Sequence, residues 1–189
     1  MPELIRSFIA FDINNKEILR RLSEAQKRLT KTGAALKLVK VENIHITMRF
    51  LGNIQPNMVN KIHSEMEQVV FTPFNVEIQG IGAFPTLRHP RVVWAGIQKG
   101  AEKLEDIFNQ LEPRLRRLGF KPNSKGFSPH ITVARVKTGR NKVELVRCIN
   151  ELASYEFGVL NADCLKLKKS VLTPKGPIYS TLKEVCGEK

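Results

Sequence analysis

The sequence predicts an α+β fold with mainly antiparallel sheets. Apolar residues recur at helical spacing in four segments, and runs rich in β-branched and aromatic residues lie between those segments. Of the 189 residues, 42% are hydrophobic and 26% are charged, which is the composition of an ordinary globular protein. We therefore expect one compact domain, or two small lobes that share a core, and neither a fibre nor a disordered chain.

The four helices are predicted from stripes of apolar side chains that fall on one helix face. These stripes cover residues 18–29, 58–69, 104–118 and 146–152. Pro113 lies inside the third stripe, where it removes a backbone hydrogen-bond donor. We therefore expect the third helix to be kinked or split at this residue.

Strands are predicted where β-branched and aromatic residues cluster between turn-forming residues. The runs cover residues 4–13, 36–39, 44–51, 74–84, 92–97, 129–136, 157–172 and 178–185. The seventh run is long, so we expect it to be bent or interrupted. Clusters of Gly and Pro separate several runs, but none is long enough to link two domains.

The order of the elements indicates an internal duplication. The tripeptide His-Ile-Thr occurs at residues 45–47 and again at residues 130–132, 85 positions further along, in a chain that has only four histidines. Each copy lies in a predicted strand that is followed by a helix and further strands. Two similar lobes that face each other would suit this spacing.

In the first copy, strict alternation along the strand places the polar side chains on one face. His45, Thr47 and Arg49 are then expected to face solvent or a cleft. The residues between them are apolar and are expected to face the core: Ile46, Met48 and Phe50.

In the second copy, His130 and Thr132 share the polar face of the predicted strand. Arg135 would point into the core if the alternation continued. We therefore expect this strand to bulge or to end near Arg135.

Two imidazoles that meet across a cleft are able to act together as a base and an acid near pH 7. In-line displacement at phosphorus needs a base on the attacking oxygen and an acid on the leaving oxygen. The hydroxyls of Thr47 and Thr132, with a cation such as Arg49, are suited to the non-bridging oxygens, where negative charge develops. This arrangement requires no metal ion.

Other interpretations of the histidines are weaker. A His and a Thr exposed on a half-buried strand would explain one tripeptide, but two copies make coincidence a poor explanation. A metal site needs a third ligand, and the chain has no His-x-x-x-His or Cys-x-x-Cys spacing. His63 is expected to be a surface residue of the second helix and His89 a plain loop residue. A P-loop motif is also absent from the sequence.

The net charge of +13 indicates a polyanionic partner. The charged N-terminus is unlike a signal peptide and the longest apolar run is too short to cross a membrane, so we expect a soluble cytoplasmic protein without a membrane partner. Cys148, Cys164 and Cys186 are odd in number and widely spaced. We expect buried, reduced thiols at all three positions.

These residues resemble the two-histidine (2H) phosphoesterases, and in particular their RNA 2',3'-cyclic phosphodiesterase branch, historically called 2'-5' RNA ligases. A lone His-x-Thr is a weak signal, whereas the pair with its flanks in this order is a specific one. The resemblance implies that residues 1–189 form a single bilobal domain, with mainly antiparallel sheets and outer helices around a central cleft. The matching segments are residues 6–12, 45–52, 84–85, 90–94, 127–135, 170–172 and 176–179.

The resemblance also implies an activity and the roles of individual residues. The reaction would be hydrolysis of RNA 2',3'-cyclic phosphate ends to 2'-phosphomonoesters, without a metal or another cofactor. His130 would be the base that activates water, and His45 would be the acid that protonates the leaving 3' oxygen. The residues expected to bind phosphate oxygens are Thr47, Thr132, Arg49 and Arg135.

Contacts beyond the phosphate are predicted from charge and aromatic residues. Basic runs at residues 114–125, 135–142 and 166–169 are candidates for contacts with an RNA backbone. Phe50, Phe127 and Tyr179 are candidates for stacking on a terminal base, whereas Trp94 lies in an apolar run and is expected to be core.

The expected partner is RNA with 2',3'-cyclic phosphate ends, such as tRNA fragments, and the expected oligomeric state is a monomer. Two alternatives stay open at this point. A non-catalytic RNA-binding module would use the same basic surface, and ligation of RNA ends through a 2'-5' linkage would use the same two histidines.

Overall fold

The computed structural model describes residues 3–188, which form nine strands and four helices. The strands are β1 (Ile5–Asp12), β2 (Leu36–Leu38), β3 (His45–Ile54), β4 (Phe74–Thr86), β5 (His89–Lys99), β6 (Ile131–Val136), β7 (Glu156–Ala162), β8 (Cys164–Thr173) and β9 (Gly176–Cys186). The helices are α1 (Lys16–Lys31), α2 (Met58–Met66), α3 (Ala101–Arg117) and α4 (Lys142–Glu151). The predicted interruption within residues 157–172 is confirmed, because β7 and β8 divide there.

The strands form two antiparallel sheets, which confirms the predicted α+β class. The first sheet has the order β3-β1-β8-β9, and the second has the order β2-β6-β5-β4-β7. Each sheet contains one of the two motif strands beside an equivalent partner. In the first sheet β3 pairs with β1, which leads into α1, and in the second β6 pairs with β5, which leads into α3.

The helices pack on the sheets through the apolar stripes that the sequence predicts. α1 contacts β6 and β7, α4 contacts β4, α2 contacts β9, and α3 contacts β3. In α1 the predicted residues Ile18, Leu22, Ala25 and Leu29 are all buried. Burying a large aliphatic side chain contributes about 1.5–3 kcal/mol. Asn15 caps this helix, since its side-chain oxygen accepts hydrogen bonds from the first turn.

The third helix is not split at Pro113, which was one of the two outcomes predicted there. α3 continues from Ala101 to Arg117 with its apolar stripe buried. Pro113 lies on the exposed side of the helix, and so does Asn109, whose carbonyl loses its intrahelical donor. Water is able to satisfy that carbonyl, so the helix is not broken there.

The cysteine prediction is wrong for two of the three residues. Cys164 and Cys186 pair across the ladder between β8 and β9 and form a disulfide. This pairing depends on strand register, which a sequence separation of 22 residues does not reveal. Cys148 is a buried free thiol, as predicted, and burial raises its pKa. None of the helices formed by residues 3–188 has the length and apolar character needed to cross a membrane.

Candidate active site

Both His-Ile-Thr motifs are followed by a β-bulge at the residue after the threonine. In β3 the ladder to β1 skips Met48, and in β6 the ladder to β5 skips Val133. The second bulge is supported by α1, because the buried amide of Gln26 donates to the carbonyl of Val133 at 2.9 Å. A bulge reverses the alternation of side chains beyond it. The residues that follow each motif therefore change faces.

The bulge in β6 confirms one prediction, and the bulge in β3 overturns another. Arg135 is exposed and faces the cleft between the sheets. Arg49 instead faces α3, where its Nε donates to Glu112 at 2.8 Å and only 12% of its side chain is exposed. Phe50, which strict alternation assigns to the core, is 60% exposed and lines the cleft.

The cleft between the two sheets is a cavity of about 430 Å³. The first sheet supplies His45 and Thr47 to its wall, and the second sheet supplies Thr132 and Arg135. The cleft is also lined by several cationic side chains and so is suited to an anion. These cations are Arg6, Lys37, Lys40, Arg135 and Lys175.

Both ring nitrogens of His45 have hydrogen-bond partners. Nδ1 donates to the carbonyl oxygen of Asn43 at 2.7 Å, and Nε2 lies 2.8 Å from the hydroxyl of Thr47. Because a carbonyl only accepts, the neutral ring carries its proton on Nδ1, and Nε2 accepts from Thr47. Burial lowers the pKa of His45; the Asn43 carbonyl opposes this shift, while the charges of Lys168 and His130 add to it.

His130 repeats this arrangement in the second sheet. Its Nδ1 donates to the carbonyl oxygen of Ser128 at 2.7 Å, which leaves Nε2 for a substrate. Burial lowers the pKa of His130, the Ser128 carbonyl opposes the shift, and the charge of Arg135 lowers it further. Strands β3 and β6 contact each other, and the charge of His130 acts on His45. The two histidines therefore lie at the starts of strands that contact each other.

A partly buried ion cluster lies beside the first motif. Asp12 is the β1 residue that pairs with His45 in the ladder, and its carboxylate accepts from Lys166 at 3.0 Å and from Lys168 at 2.5 Å. Burial by itself would raise the pKa of Asp12, but the two ammonium groups outweigh it and hold that pKa below its ordinary value. These two lysines are therefore engaged within the protein.

Two of the predicted basic runs are thus partly structural. Lys166 and Lys168 of the run at residues 166–169 bind Asp12, as described above. In the run at residues 114–125, Arg114 and Arg117 both pair with Glu65 of α2. The run at residues 135–142 differs, since it supplies Arg135 to the cleft.

The aromatic candidates separate into two groups. Tyr179 lines the cleft with Phe50, and its ring lies edge-on to His45 with the centroids 5.5 Å apart. Burial raises the pKa of Tyr179, while Arg135 and then Arg6 act against that shift.

Phe127 is not brought to the cleft. Its ring stacks on Phe108 of α3, with 4.6 Å between the centroids, and it packs against the core. Trp94, expected in the core, is partly exposed and lines a second cavity beside His130. The observed positions of both rings therefore differ from the predicted ones.

The remaining histidines and the cysteines lie apart from these motifs. Nε2 of His63 is 3.4 Å from the carbonyl oxygen of Glu184, and His89 is exposed at the start of β5. Among residues 3–188, one group of three side chains has ligand atoms close enough to share a metal ion, and it includes the two disulfide cysteines. Its members are Cys164, Glu184 and Cys186.

Comparison with known families accounts for the duplication. The model of the LigT-like phosphoesterase family matches the chain twice, over residues 12–94 and 96–179. The chain belongs to the LigT-like phosphoesterase family. Each match contains one His-Ile-Thr motif, so the two sheets carry equivalent copies of one family element.

Several relatives match this chain over most of its length. An RNA 2',3'-cyclic phosphodiesterase of Aeropyrum pernix is 39% identical over 165 residues, which are 87% of this chain and 94% of that protein. One from Archaeoglobus fulgidus is 36% identical over 179 residues, or 95% and 98% of the two chains. A crystal structure of a Thermus thermophilus protein matches with a TM-score of 0.80 at 26% identity, covering 98% and 100%. E. coli LigT complexed with 3'-AMP has the same fold, with a TM-score of 0.78, 20% identity and 99% coverage of both chains.

Sequence reasoning missed several groups of this LigT-like site. The carbonyls of Asn43 and Ser128 orient the two imidazoles, but every residue has a carbonyl, so no sequence signal marks them. Lys37 and Lys175 lie in different loops or strands from either motif and reach the cleft only through the fold.

Proposed function

We propose that the protein hydrolyses the 2',3'-cyclic phosphate ends of RNA to 2'-phosphomonoesters. The observation that carries this proposal is the matched pair of imidazoles, each held at Nδ1 by a backbone carbonyl so that Nε2 is the atom left to move a proton. The cationic cleft, whose wall includes His45, suits a phosphate, whereas His130 lines a separate cavity of the second sheet. Relatives named RNA 2',3'-cyclic phosphodiesterase support the same reaction.

In this mechanism the two rings act on opposite sides of phosphorus. Nε2 of neutral His130 accepts a proton from water as the water oxygen attacks. The bond from phosphorus to the 3' oxygen breaks, and protonated His45 donates from Nε2 to that oxygen. When His45 is protonated, Nε2 no longer accepts from Thr47. The Thr47 hydroxyl is then available to donate to a non-bridging phosphate oxygen.

Charge on the phosphate is stabilised by the groups that the cleft brings together. Thr132 and Arg135 of the second sheet complement Thr47 of the first. Arg49 has no place in this set because Glu112 engages it. On the side of His45, Phe50 and Tyr179 offer aromatic surface for the terminal base.

The proposal also covers the domain organisation, the oligomeric state and the substrate of the protein. We take residues 1–189 as one bilobal catalytic domain, since both sheets line the same cleft. It acts as a cytoplasmic monomer on RNA fragments such as tRNA halves. When a 5'-hydroxyl takes the place of water as the nucleophile, with His130 again the base and His45 again the acid, the same site also supports 2'-5' ligation.

The test is incubation of the protein with adenosine 2',3'-cyclic phosphate, with and without EDTA, followed by separation of the 2' and 3' products. We expect the 2'-phosphate alone, at a rate that the chelator does not change. Binding of cyclic-phosphate RNA without turnover would support the non-catalytic RNA-binding module instead. A loss of rate that added Zn²⁺ restores would contradict the metal-independent mechanism.

A further inference from the structure

A cavity of about 550 Å³ lies outside the cleft between the two sheets. It opens between the start of β5 and the start of α4, and its wall includes His89, Arg91, residues 136–139 and Lys142. None of the described residues that line this cavity also lines the cleft. We call this cavity the basic groove.

The basic groove carries an excess of positive charge. Arg91, Lys137 and Lys142 line it and are exposed, and none of its described lining residues is acidic. In the part of the chain that the structure describes, these three side chains form no ion pair. Like charges gathered without counter-ions repel one another, so the groove is suited to an anion.

The floor of the basic groove is apolar. Pro90 and Leu145 line it and are buried, and Val136 beside them is partly buried. An apolar floor under exposed cations offers two kinds of contact, one for uncharged surface and one for negative charge. Single-stranded nucleic acid presents both, because its sugars and bases have apolar surface and each nucleotide carries a phosphate.

The cations of the cleft continue into the basic groove along the end of β6. Arg135 lines the cleft and Lys137 lines the groove, and their Cα atoms are about 6.6 Å apart at the usual rise of a strand. Arg135 pairs with Lys37 of β2, and the N–H of Lys137 donates to the carbonyl oxygen of Ala35 at 2.8 Å. The backbone pairing therefore extends from the cleft to the groove.

The charge of the substrate decides what occupies such a path. A cyclic phosphate carries a single negative charge, and Arg135 with the two motif threonines is sufficient for it. The cations of the basic groove lie beyond that phosphate and need further anions. The backbone of an RNA strand supplies them, because it continues from the terminal nucleotide with one phosphate per residue.

We propose that the basic groove binds the backbone of the RNA strand whose cyclic end lies in the cleft. This inference rests on the proposed function. The strand leaves the cleft past Arg135, and its phosphates contact Lys137, Arg91 and Lys142, while its sugars and bases lie over Leu145. The substrate class is therefore single-stranded RNA of several nucleotides, and a mononucleotide uses the cleft alone.

A binding experiment tests the groove without turnover. The probe is a 5'-fluorescein oligoadenylate of about eight nucleotides with a 3'-phosphate, and its affinity is measured by fluorescence anisotropy. We expect the double variant Arg91→Gln/Lys142→Gln to raise Kd about tenfold at low salt. The slope of log Kd against log salt concentration should fall by about 1.4, since about 0.7 is lost with each phosphate contact. An unchanged Kd and slope would overturn the proposal.

A matched control loses the same two charges elsewhere. Lys27 of α1 and Lys103 of α3 are exposed and lie outside the cleft and the groove, so Lys27→Gln/Lys103→Gln should change Kd much less. Equal weakening by the two double variants would show a response to net charge alone and would contradict the assignment.

Thermal unfolding checks the folding of both double variants, which should keep the wild-type Tm because neither loses an ion pair. Thr138→Glu is an independent variant, since it places a carboxylate in the exposed wall of the groove. We expect it to weaken RNA binding as well. Wild-type affinity in a folded Thr138→Glu variant would also contradict the assignment.

An enzymatic test separates this inference from the proposed function. On adenosine 2',3'-cyclic phosphate, Arg91→Gln/Lys142→Gln should keep the wild-type kcat/KM. On an oligoadenylate with a 2',3'-cyclic phosphate end, its kcat/KM should fall about tenfold through KM. Equal values for variant and wild type on the oligonucleotide would refute the groove and leave the proposed function intact. Failure of the wild type to hydrolyse either substrate would refute the proposed function, and the binding experiment would then decide the groove by itself.

Discussion

The two copies of the His-Ile-Thr motif have the same backbone arrangement but present different side chains to the cleft. In both, a carbonyl two residues upstream holds Nδ1 of the histidine, and a bulge follows the threonine. The fifth residue after each histidine then faces the cleft, but it is Phe50 in one copy and Arg135 in the other. The same backbone arrangement therefore presents an aromatic ring to the cleft from the first sheet and a guanidinium from the second.

The residue turned away from the cleft differs as well. In the first copy it is Arg49, which pairs with Glu112 of α3, and in the second it is the buried Ala134. The backbone geometry around the two histidines is thus symmetric, while the side chains that the two copies present to the cleft differ. The reaction we propose suits this difference, because its substrate has a nucleoside on one side of phosphorus and a nucleophile on the other.

The largest expected effect comes from removing either imidazole. His45→Ala and His130→Ala should each lower kcat by about 10²- to 10⁴-fold, since each removes one proton-transfer group. Steady-state kinetics on adenosine 2',3'-cyclic phosphate measures this, with circular dichroism as the check on folding. His63→Ala is the matched control and should keep full activity. Wild-type turnover in either variant would show that the two histidines do not act as an acid and a base.

The two arginines provide a smaller and more selective effect. Arg135→Ala should lower kcat/KM by about 10²-fold at unchanged thermal stability, because a donor to the phosphate is lost. Arg49→Ala should instead destabilise the fold by about 2 kcal/mol, because it leaves Glu112 without its cation in a largely buried pair. Urea unfolding and kinetics on both variants distinguish the roles. The reverse pattern would mean that Arg49 binds the phosphate.

The smallest expected effect is on the pH dependence of kcat/KM. Both imidazoles have lowered pKa values, so His130 stays neutral, as a base must, below the ordinary value of about 6.5. His45 carries its proton, as an acid must, only below its own lowered pKa. We therefore expect a bell-shaped kcat/KM profile that already declines as the pH rises above about 6.5.

Substitution of Arg135 is expected to shift mainly the acidic limb of the kcat/KM profile. Its charge lowers the pKa of His130, so Arg135→Ala should move the acidic limb of the profile to higher pH. The limb assigned to His45 should move less. A profile that stays flat between pH 5 and 9 would contradict a paired acid and base.

The sequence was sufficient for features that depend on local spacing. The buried stripe of α1 and the repeated tripeptide are local patterns, so the helices, the strands and the two histidines could be predicted. The bulge at Met48 could not, because it depends on how β3 pairs with β1. One unrecognised bulge was enough to exchange the faces of Arg49 and Phe50.

Other errors also trace to long-range pairing. Cys164 and Cys186 form a disulfide through the register of β8 and β9. A basic run does not show in advance which lysines an acidic group will engage, and Asp12 engages Lys166 and Lys168 from 154 and 156 positions away. These contacts form only when strands that are distant in sequence pair, so local sequence patterns do not predict them.

The strand order has a consequence for the two repeats as units. β1 from the first repeat is completed by β8 from the second, and β6 from the second is completed by β2 from the first. Either repeat produced alone would expose unpaired strand edges and so would be prone to aggregate. Because each sheet contains strands of both repeats, we expect the two repeats to fold together and neither to be stable alone.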